Sequence, residues 1–175
     1  MARDREANET TLDRILEPDR VELREATHRF SGLLFRAVRS KADLAQAVEA
    51  ADRLGRLAER QARVEEEVLF PELSGLLGGP GGPVERARAE RRRLARSARL
   101  FREAARRFEA EFPSPEDARL MGQRGHELLR VLAEKLGAVD GYLLRVADGA
   151  LRGPARLALL DRLQAALSKR DDGRH

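Results

Sequence analysis

Apolar residues recur at intervals of three and four positions along four long stretches of the chain. The series is most regular between Pro83 and Pro113, where Arg91 is the single polar member. An α-helix has about 3.6 residues per turn, so this spacing places the whole series on one helical face. Its members are Val84, Ala87, Arg91, Leu94, Ala98, Phe101, Ala105 and Phe108. The pattern therefore predicts a helix with one buried stripe.

Segments rich in proline and glycine separate these stretches. The sequence "GGPGGP" at residues 78–83 divides the second stretch from the third, and Ser114 followed by Pro115 suits the start of a fourth helix. The predicted helices cover about residues 19–39, 43–77, 83–112, 114–148 and 153–169. Short connections between four long helices predict one all-α domain over residues 1–175, an up-down-up-down four-helix bundle with its core at about 19–149 and a short extra C-terminal helix.

The composition agrees with a helical bundle and excludes several kinds of site. The chain is 42% hydrophobic and 37% charged but only 4% aromatic. It contains no cysteine, so disulfides, thiolate nucleophiles and cysteine-ligated metals are excluded. Neither a signal-peptide pattern nor a run of 18 apolar residues occurs, so we expect a soluble cytoplasmic protein without a membrane partner.

Each predicted helix carries a polar residue about midway along its inward stripe. These residues are His28 in the first helix, Gln61 and Glu65 in the second, Arg91 in the third and Lys135 in the fourth. Taken singly, a histidine is often half-exposed, and a lysine or arginine often extends to the protein surface. Their shared depth instead predicts a polar layer across the core. The stripes of the other three helices are Thr27, His28, Ser31, Leu34, Phe35 and Val38; Ala47, Ala51, Leu54, Ala58, Gln61, Glu65 and Val68; and Met121, Gly125, Leu128, Leu132, Lys135, Val139, Tyr142 and Val146.

Four segments that contain these residues resemble the hemerythrin, or HHE cation-binding, family. They are "EATHRF" in the first helix, "RVEEEVLFPEL" at residues 63–73, "RARAERRRL" in the third helix and "LAEKLGAVDGYLL" at residues 132–144. The resemblance implies a four-helix bundle with a non-haem di-iron centre that histidines and bridging carboxylates hold. His28 then matches the first-helix histidine, Glu65 the second-helix carboxylate and Asp140 the fourth-helix carboxylate.

The chain departs from the family pattern at three ligand positions. Gln61, Arg91 and Lys135 stand where the resemblance implies histidines. Arginine does not deprotonate to become a ligand, and lysine rarely does. We therefore interpret the site as a salt-bridge network in which Arg91 and Lys135 replace the charge of the irons, Glu65 and Asp140 are the counter-ions, and His28 and Gln61 donate or accept hydrogen bonds. Residues five apart on a helix diverge by roughly 140°, so Lys135 and Asp140 both face the core only if the helix bends.

This interpretation predicts a protein without a cofactor or catalytic residues that acts as a regulatory, interaction or small-ligand-binding module. A hydrolytic enzyme finds no support, since no serine or threonine has a histidine partner at a recognisable spacing. A first alternative is a metalloprotein with oxygen or peroxide chemistry, in which His28, Glu65 and Asp140, with Glu66 or His126, hold iron, manganese or zinc.

A second alternative is nucleic-acid binding by the arginine-rich third helix. Residues 86–107 contain ten arginines and two glutamates, a local charge of +8 against +4 for the whole chain. The outward face holds Arg88, Arg92, Arg96 and Arg99, but no aromatic residue is interleaved for base stacking, so we favour a solvated face. The partner is expected to be a protein or a small molecule, and the leucine face of the last helix (Leu157, Leu160, Leu163 and Leu167) either covers the bundle or binds a second copy.

Overall fold

The structure is a computed structural model that describes residues 11–37, 43–77, 79–109, 114–136 and 140–171. Its elements are α1 (Leu12–Ala37), α2 (Leu44–Val64), a π-helical turn (Glu65–Leu69), α3 (Phe70–Leu77), α4 (Pro83–Glu109), α5 (Pro115–Glu134), α6 (Asp140–Ala150) and α7 (Gly153–Asp171). The described residues contain helices and no strand, which confirms the all-α prediction. Helix α2, the π turn and α3 follow one another without a break, as one long rod.

The helices pack as the predicted bundle. Helix α1 packs along α2, and α4 packs along α5; contacts of α2 with α4 and of α1 with α5 and α6 close the arrangement. Helix α7 lies against α1 and the π turn. Its buried residues Leu160 and Leu163, with Leu167 packed beside them, cover the bundle core, whereas Leu157 is partly exposed.

Helix α1 begins earlier than the sequence predicted. We expected the helix to start after Pro18, but it starts at Leu12 and includes this proline. The Thr11 hydroxyl accepts a hydrogen bond from the Arg14 amide at 3.1 Å, and the Asp148 carboxylate accepts one from the Leu12 amide at 3.2 Å. These caps and the complete burial of Leu12 offset the hydrogen bond that proline cannot donate.

Helix α5 begins with a reciprocal capping box. The Ser114 hydroxyl accepts a hydrogen bond from the Asp117 amide at 3.1 Å, and the Asp117 carboxylate accepts one from the Ser114 amide at 2.9 Å. The hydrogen bonds from the Ser114 hydroxyl and amide hold the pKa of Asp117 below its ordinary value. The N-cap predicted from the sequence is therefore in place.

Two apolar clusters form the core. The larger cluster contains Phe30 and Phe101, whose rings meet edge to face with centroids 5.1 Å apart. The smaller cluster contains Phe70 of α3 and lies among the start of α1, the π turn, α3, the start of α4, α6 and α7. No helix in the described ranges is long and apolar enough to cross a membrane.

The π turns shift the inward face by one residue relative to the predicted stripes. In the first turn the Phe70 amide donates to the Glu65 carbonyl, five residues earlier rather than four. After it, Leu69 is buried where Val68 was expected. A second π turn at residues 135–136 precedes α6, where Leu143 is buried and Tyr142 is 53% exposed. The predicted stripes are therefore wrong beyond Glu65 and beyond Lys135, because they assumed α-helical spacing throughout.

Candidate functional site

A buried carboxylate lies between the two apolar clusters. Glu65 Oε1 accepts a hydrogen bond from Gln61 Nε2 at 2.9 Å and lies 3.3 Å from Lys135 Nζ. The exposed fractions of these residues are 3% for Gln61, 7% for Glu65 and 3% for Lys135. An amide group and an ammonium group thus contact the same carboxylate oxygen atom in a desolvated part of the bundle. This buried triad, Gln61, Glu65 and Lys135, is the candidate site.

Two members of the triad lie at the two π turns of the backbone. Glu65 is the first residue of one π turn, and Lys135 is the first residue of the other. A π turn adds a residue to the helical repeat, so it sets the direction of the side chains that follow it. Such turns occur frequently at functional sites. Here they coincide with the level at which one apolar cluster ends and the other begins.

Arg91 does not join the triad, contrary to the prediction. Its side chain is 42% exposed, and Arg91 Nη1 lies 3.6 Å from Glu66 rather than beside Glu65. The Glu66 carboxylate already accepts two hydrogen bonds from Arg88, at 3.0 Å from Nε and 2.7 Å from Nη2. This pairing raises the pKa of Arg88. Glu65 and Glu66 therefore pair with cations from different helices, because consecutive helical residues point about 100° apart.

His28 also lies outside the buried triad. Its side chain is exposed, whereas the buried residues of α1 include Leu23, Phe30 and Leu34. The sequence prediction selected the wrong face, because α1 carries apolar residues on more than one face; Phe35, assigned to the same stripe, is 62% exposed.

The sequence reasoning missed Arg20, the buried polar residue of α1. It is 8% exposed and forms ion pairs with Asp13 and with Glu17. A series stepping from Leu16 through Arg20 to Leu23 would have revealed this residue as a lone cation among apolar positions. The buried polar residue of α1 is therefore a cation rather than a histidine, and its ion pairs are with carboxylates of its own helix.

Asp140 and His126 are the two further candidate metal ligands. The backbone of Asp140 begins α6, but its side chain lies outside the described residues. His126 is exposed, and its Nδ1 lies 2.7 Å from the carbonyl oxygen of Gly122. Among the residues that the structure describes, no group of three or more histidine, aspartate or glutamate side chains is placed to hold a metal ion.

An open groove runs between α2 and α4 and ends at Lys135. Its volume is about 480 Å³. Its lining combines buried apolar side chains with charged side chains of both signs. The apolar lining includes Leu54, Ala58, Leu94, Ala98, Leu128 and Leu132. We call this feature the α2–α4 groove.

The arginines of α4 are partly engaged within the protein. Arg88 pairs with Glu66 and lies over the Phe70 ring, with its guanidinium carbon 5.4 Å from the centroid. Arg99 lies 3.5 Å from Glu103. Arg92 and Arg96 are exposed. The face thus presents fewer unengaged cations than its sequence suggests, and nucleic-acid binding stays a prediction.

The fold and the triad define a four-helix-bundle protein with a polar layer inside its core. The family model described as the hemerythrin HHE cation binding domain matches residues 14–147. The chain therefore belongs to the hemerythrin family, as the resemblance predicted. Searches among curated proteins and among solved structures gave no match.

Proposed function

We propose that this chain is a hemerythrin-family protein in which a buried ammonium group takes over the charge of the metal centre, and that it acts as a non-catalytic binding module. The observation that carries the proposal is the position of Lys135 Nζ, 3.3 Å from Glu65 Oε1 in the core. Both side chains are less than 10% exposed. The family's description is that of a cation-binding domain, and here the cation is part of the chain.

The charges explain why a lysine is required at this depth. A buried carboxylate that loses its cationic partner typically costs about 3–5 kcal/mol of folding free energy. Glu65 would carry this cost in a metal-free bundle unless another cation replaced the metal. Lys135 supplies that cation, and Gln61 donates a hydrogen bond to the same oxygen atom.

The described residues do not fit a di-iron centre. The groups around Glu65 include an amide and an ammonium group, whereas iron sites of this kind need imidazole and carboxylate ligands. The side chain of His28, the imidazole that the resemblance assigns to the first helix, is exposed. An ammonium group beside the carboxylate also repels an incoming metal ion.

The proposal of a binding module rests on the α2–α4 groove. Its volume falls within the range of about 300–1,000 Å³ typical of small-molecule sites. It reaches the buried triad through Lys135. The triad pairs its carboxylate with a cation instead of leaving it available as a general base, which favours binding over acid–base catalysis.

Elemental mass spectrometry tests the metal-free state. The wild-type protein would be produced in medium supplemented with iron, manganese and zinc, and we expect substoichiometric amounts of each metal. A double variant, Gln61→His and Lys135→His, provides the positive control. It places imidazoles at the two positions beside Glu65 that the family resemblance assigns to histidines, and we expect it to retain more metal than the wild type.

A stoichiometric metal in the wild-type protein would contradict the proposal if it depended on the candidate ligands. His28→Ala and Glu65→Gln would then remove it, whereas His126→Ala, a change at another exposed histidine, would not. A metal content that all three variants leave unchanged would indicate adventitious surface binding. Circular dichroism would verify that each variant remains helical.

A further inference from the structure

The α2–α4 groove has no role in the triad itself. The charged residues that line it differ in how closely they are paired with an opposite charge. Arg102 Nε lies 2.5 Å from Asp52, and Lys135 lies beside Glu65. Arg91 differs from both. It is 3.6 Å from Glu66, too far for a hydrogen bond, and no hydrogen bond of its guanidinium group occurs among the described residues.

The carboxylate nearest to Arg91 is already occupied. Arg88 holds Glu66 through two hydrogen bonds, at 3.0 Å and 2.7 Å. The guanidinium group of Arg91, which lines the groove, therefore forms no hydrogen bond with Glu66. A guanidinium group forms its strongest and most directional hydrogen bonds with a carboxylate or phosphate, often through two donors.

On the α2 side of the groove, two carboxylates outnumber one guanidinium group. Glu59, Arg63 and Glu67 follow at four-residue intervals along the α2 rod, and all three side chains are exposed. Opposite charges at this spacing attract each other on a helix surface. These three side chains are exposed, whereas Arg91 is half-buried. An anionic group that enters the groove therefore meets Arg91 as its best donor.

The rest of the groove favours an apolar body. Its lining includes Leu128 and Leu132 of α5 and the small side chains of Ala58 in α2 and Ala98 in α4. Burying apolar ligand surface on such a lining contributes roughly 25 cal/mol per Å².

We propose that the α2–α4 groove binds a small amphipathic carboxylic acid, with the carboxylate on Arg91 and the apolar chain along the leucines and alanines of α2, α4 and α5. This deepens the proposed function, since it names the ligand class of the binding module. A carboxylate is favoured over a phosphate monoester because one guanidinium group matches one singly charged carboxylate.

Calorimetric titration with decanoate tests the assignment, with decanol as the probe that lacks the charge. We expect one decanoate per chain and at least about tenfold weaker binding of decanol, since a hydrogen bond to a charged group contributes about 1.5–3 kcal/mol. Arg91→Gln should weaken decanoate binding by about tenfold or more. Arg96→Gln, at an exposed position on the same helix, is the matched control and should leave it unchanged.

Other results would overturn the assignment. These are no decanoate binding, equal binding of decanoate and decanol, or equal losses in the two arginine variants. A second variant, Ala98→Leu, reduces the groove volume and should weaken both probes. If it and Arg91→Gln bind as the wild type does while remaining helical, the ligand lies elsewhere.

Measuring the metal content distinguishes a failure of the proposed ligand class from a failure of the proposed metal-free function. Failure of decanoate binding in metal-free protein would refute the ligand class and leave the metal-free triad intact. Stoichiometric metal held by Glu65 would refute the proposed function, whatever the titration showed. Binding that depends on Arg91 in metal-containing protein would support the groove alone.

Discussion

Replacing Lys135 by methionine would expose the energetic role of the buried triad. Methionine retains much of the length and apolar volume of the lysine stem, so the packing changes little while the ammonium group disappears. Glu65 Oε1 then loses a cation at 3.3 Å. The carboxylate keeps the hydrogen bond from Gln61, which is a weaker compensation for a full charge.

The expected loss follows from two opposing contributions. At 3.3 Å and an effective dielectric constant of about 20, the attraction between unit charges is roughly 5 kcal/mol. Removing both ions from water costs several kcal/mol per ion, so the net contribution of the pair to stability is small. Removing one partner alone leaves the desolvation cost without the attraction. We therefore expect Lys135→Met to lower the free energy of unfolding by about 3–5 kcal/mol.

Urea denaturation followed by circular dichroism measures this change, and a double-mutant cycle isolates the interaction. The cycle uses Lys135→Met, Glu65→Gln and the double variant, which removes both charges. The double variant should be more stable than Lys135→Met, because no buried charge remains without a partner. Arg99→Met is the surface control: Arg99 and Glu103 are 3.5 Å apart but exposed, so the expected change is within about 0.5 kcal/mol.

Two results would refute this reasoning. One is a loss for Lys135→Met as small as that for Arg99→Met, which would mean that Glu65 is not a desolvated charge in the folded protein. The other is additivity across the cycle, with the double variant as unstable as the two single changes together. Additivity would mean that Lys135 and Glu65 act on stability independently.

Two further predictions concern the bundle that holds the site. A methyl group at Gly125 would overlap the buried side chain of Leu34, so Gly125→Ala should lower stability by about 1–3 kcal/mol, whereas Gly32→Ala, with no atom within 4 Å, should raise it by up to about 1 kcal/mol. Equal effects at the two glycines would contradict the close approach of α1 and α5. Ser114→Ala should raise the pKa of Asp117 toward its ordinary value, because the Ser114 hydrogen bonds lower it. The stability from a lowered carboxylate pKa is present above the unfolded pKa and is lost as pH falls through the folded pKa, so the difference in Tm between wild type and Ser114→Ala should shrink from about pH 6 to about pH 3. Ser114→Thr keeps the cap and should behave as the wild type does; a difference in Tm that does not vary with pH would contradict the role of Asp117.

The helices of the bundle were largely predictable from local sequence. The break at residues 78–83 and the cap at Ser114 follow from residues within a few positions of one another. The start of α1 was not predictable in this way. Its first turn depends on Asp148, 136 residues later in the sequence, whose carboxylate accepts a hydrogen bond from the Leu12 amide.

The candidate site was predicted only in part. Lone polar residues among apolar positions correctly indicated the buried Gln61, Glu65 and Lys135. The same reasoning assigned His28 and Arg91 to the interior, although both side chains are exposed or half-exposed. A stripe identifies a helical face only when one face is clearly more apolar than the others.

The sequence by itself determined the all-helical class, the breaks between helices, the family and the presence of charges at core depth, because each depends on local composition and spacing. The tertiary structure alone decided which charges meet. Glu65, Glu66 and Glu67 are chemically identical neighbours, yet the first is buried beside Lys135, the second pairs with Arg88 and the third is exposed. The reason is physical: consecutive residues of a helix point in different directions, and the partners that they meet come from α4 and from the end of α5, far away in the sequence.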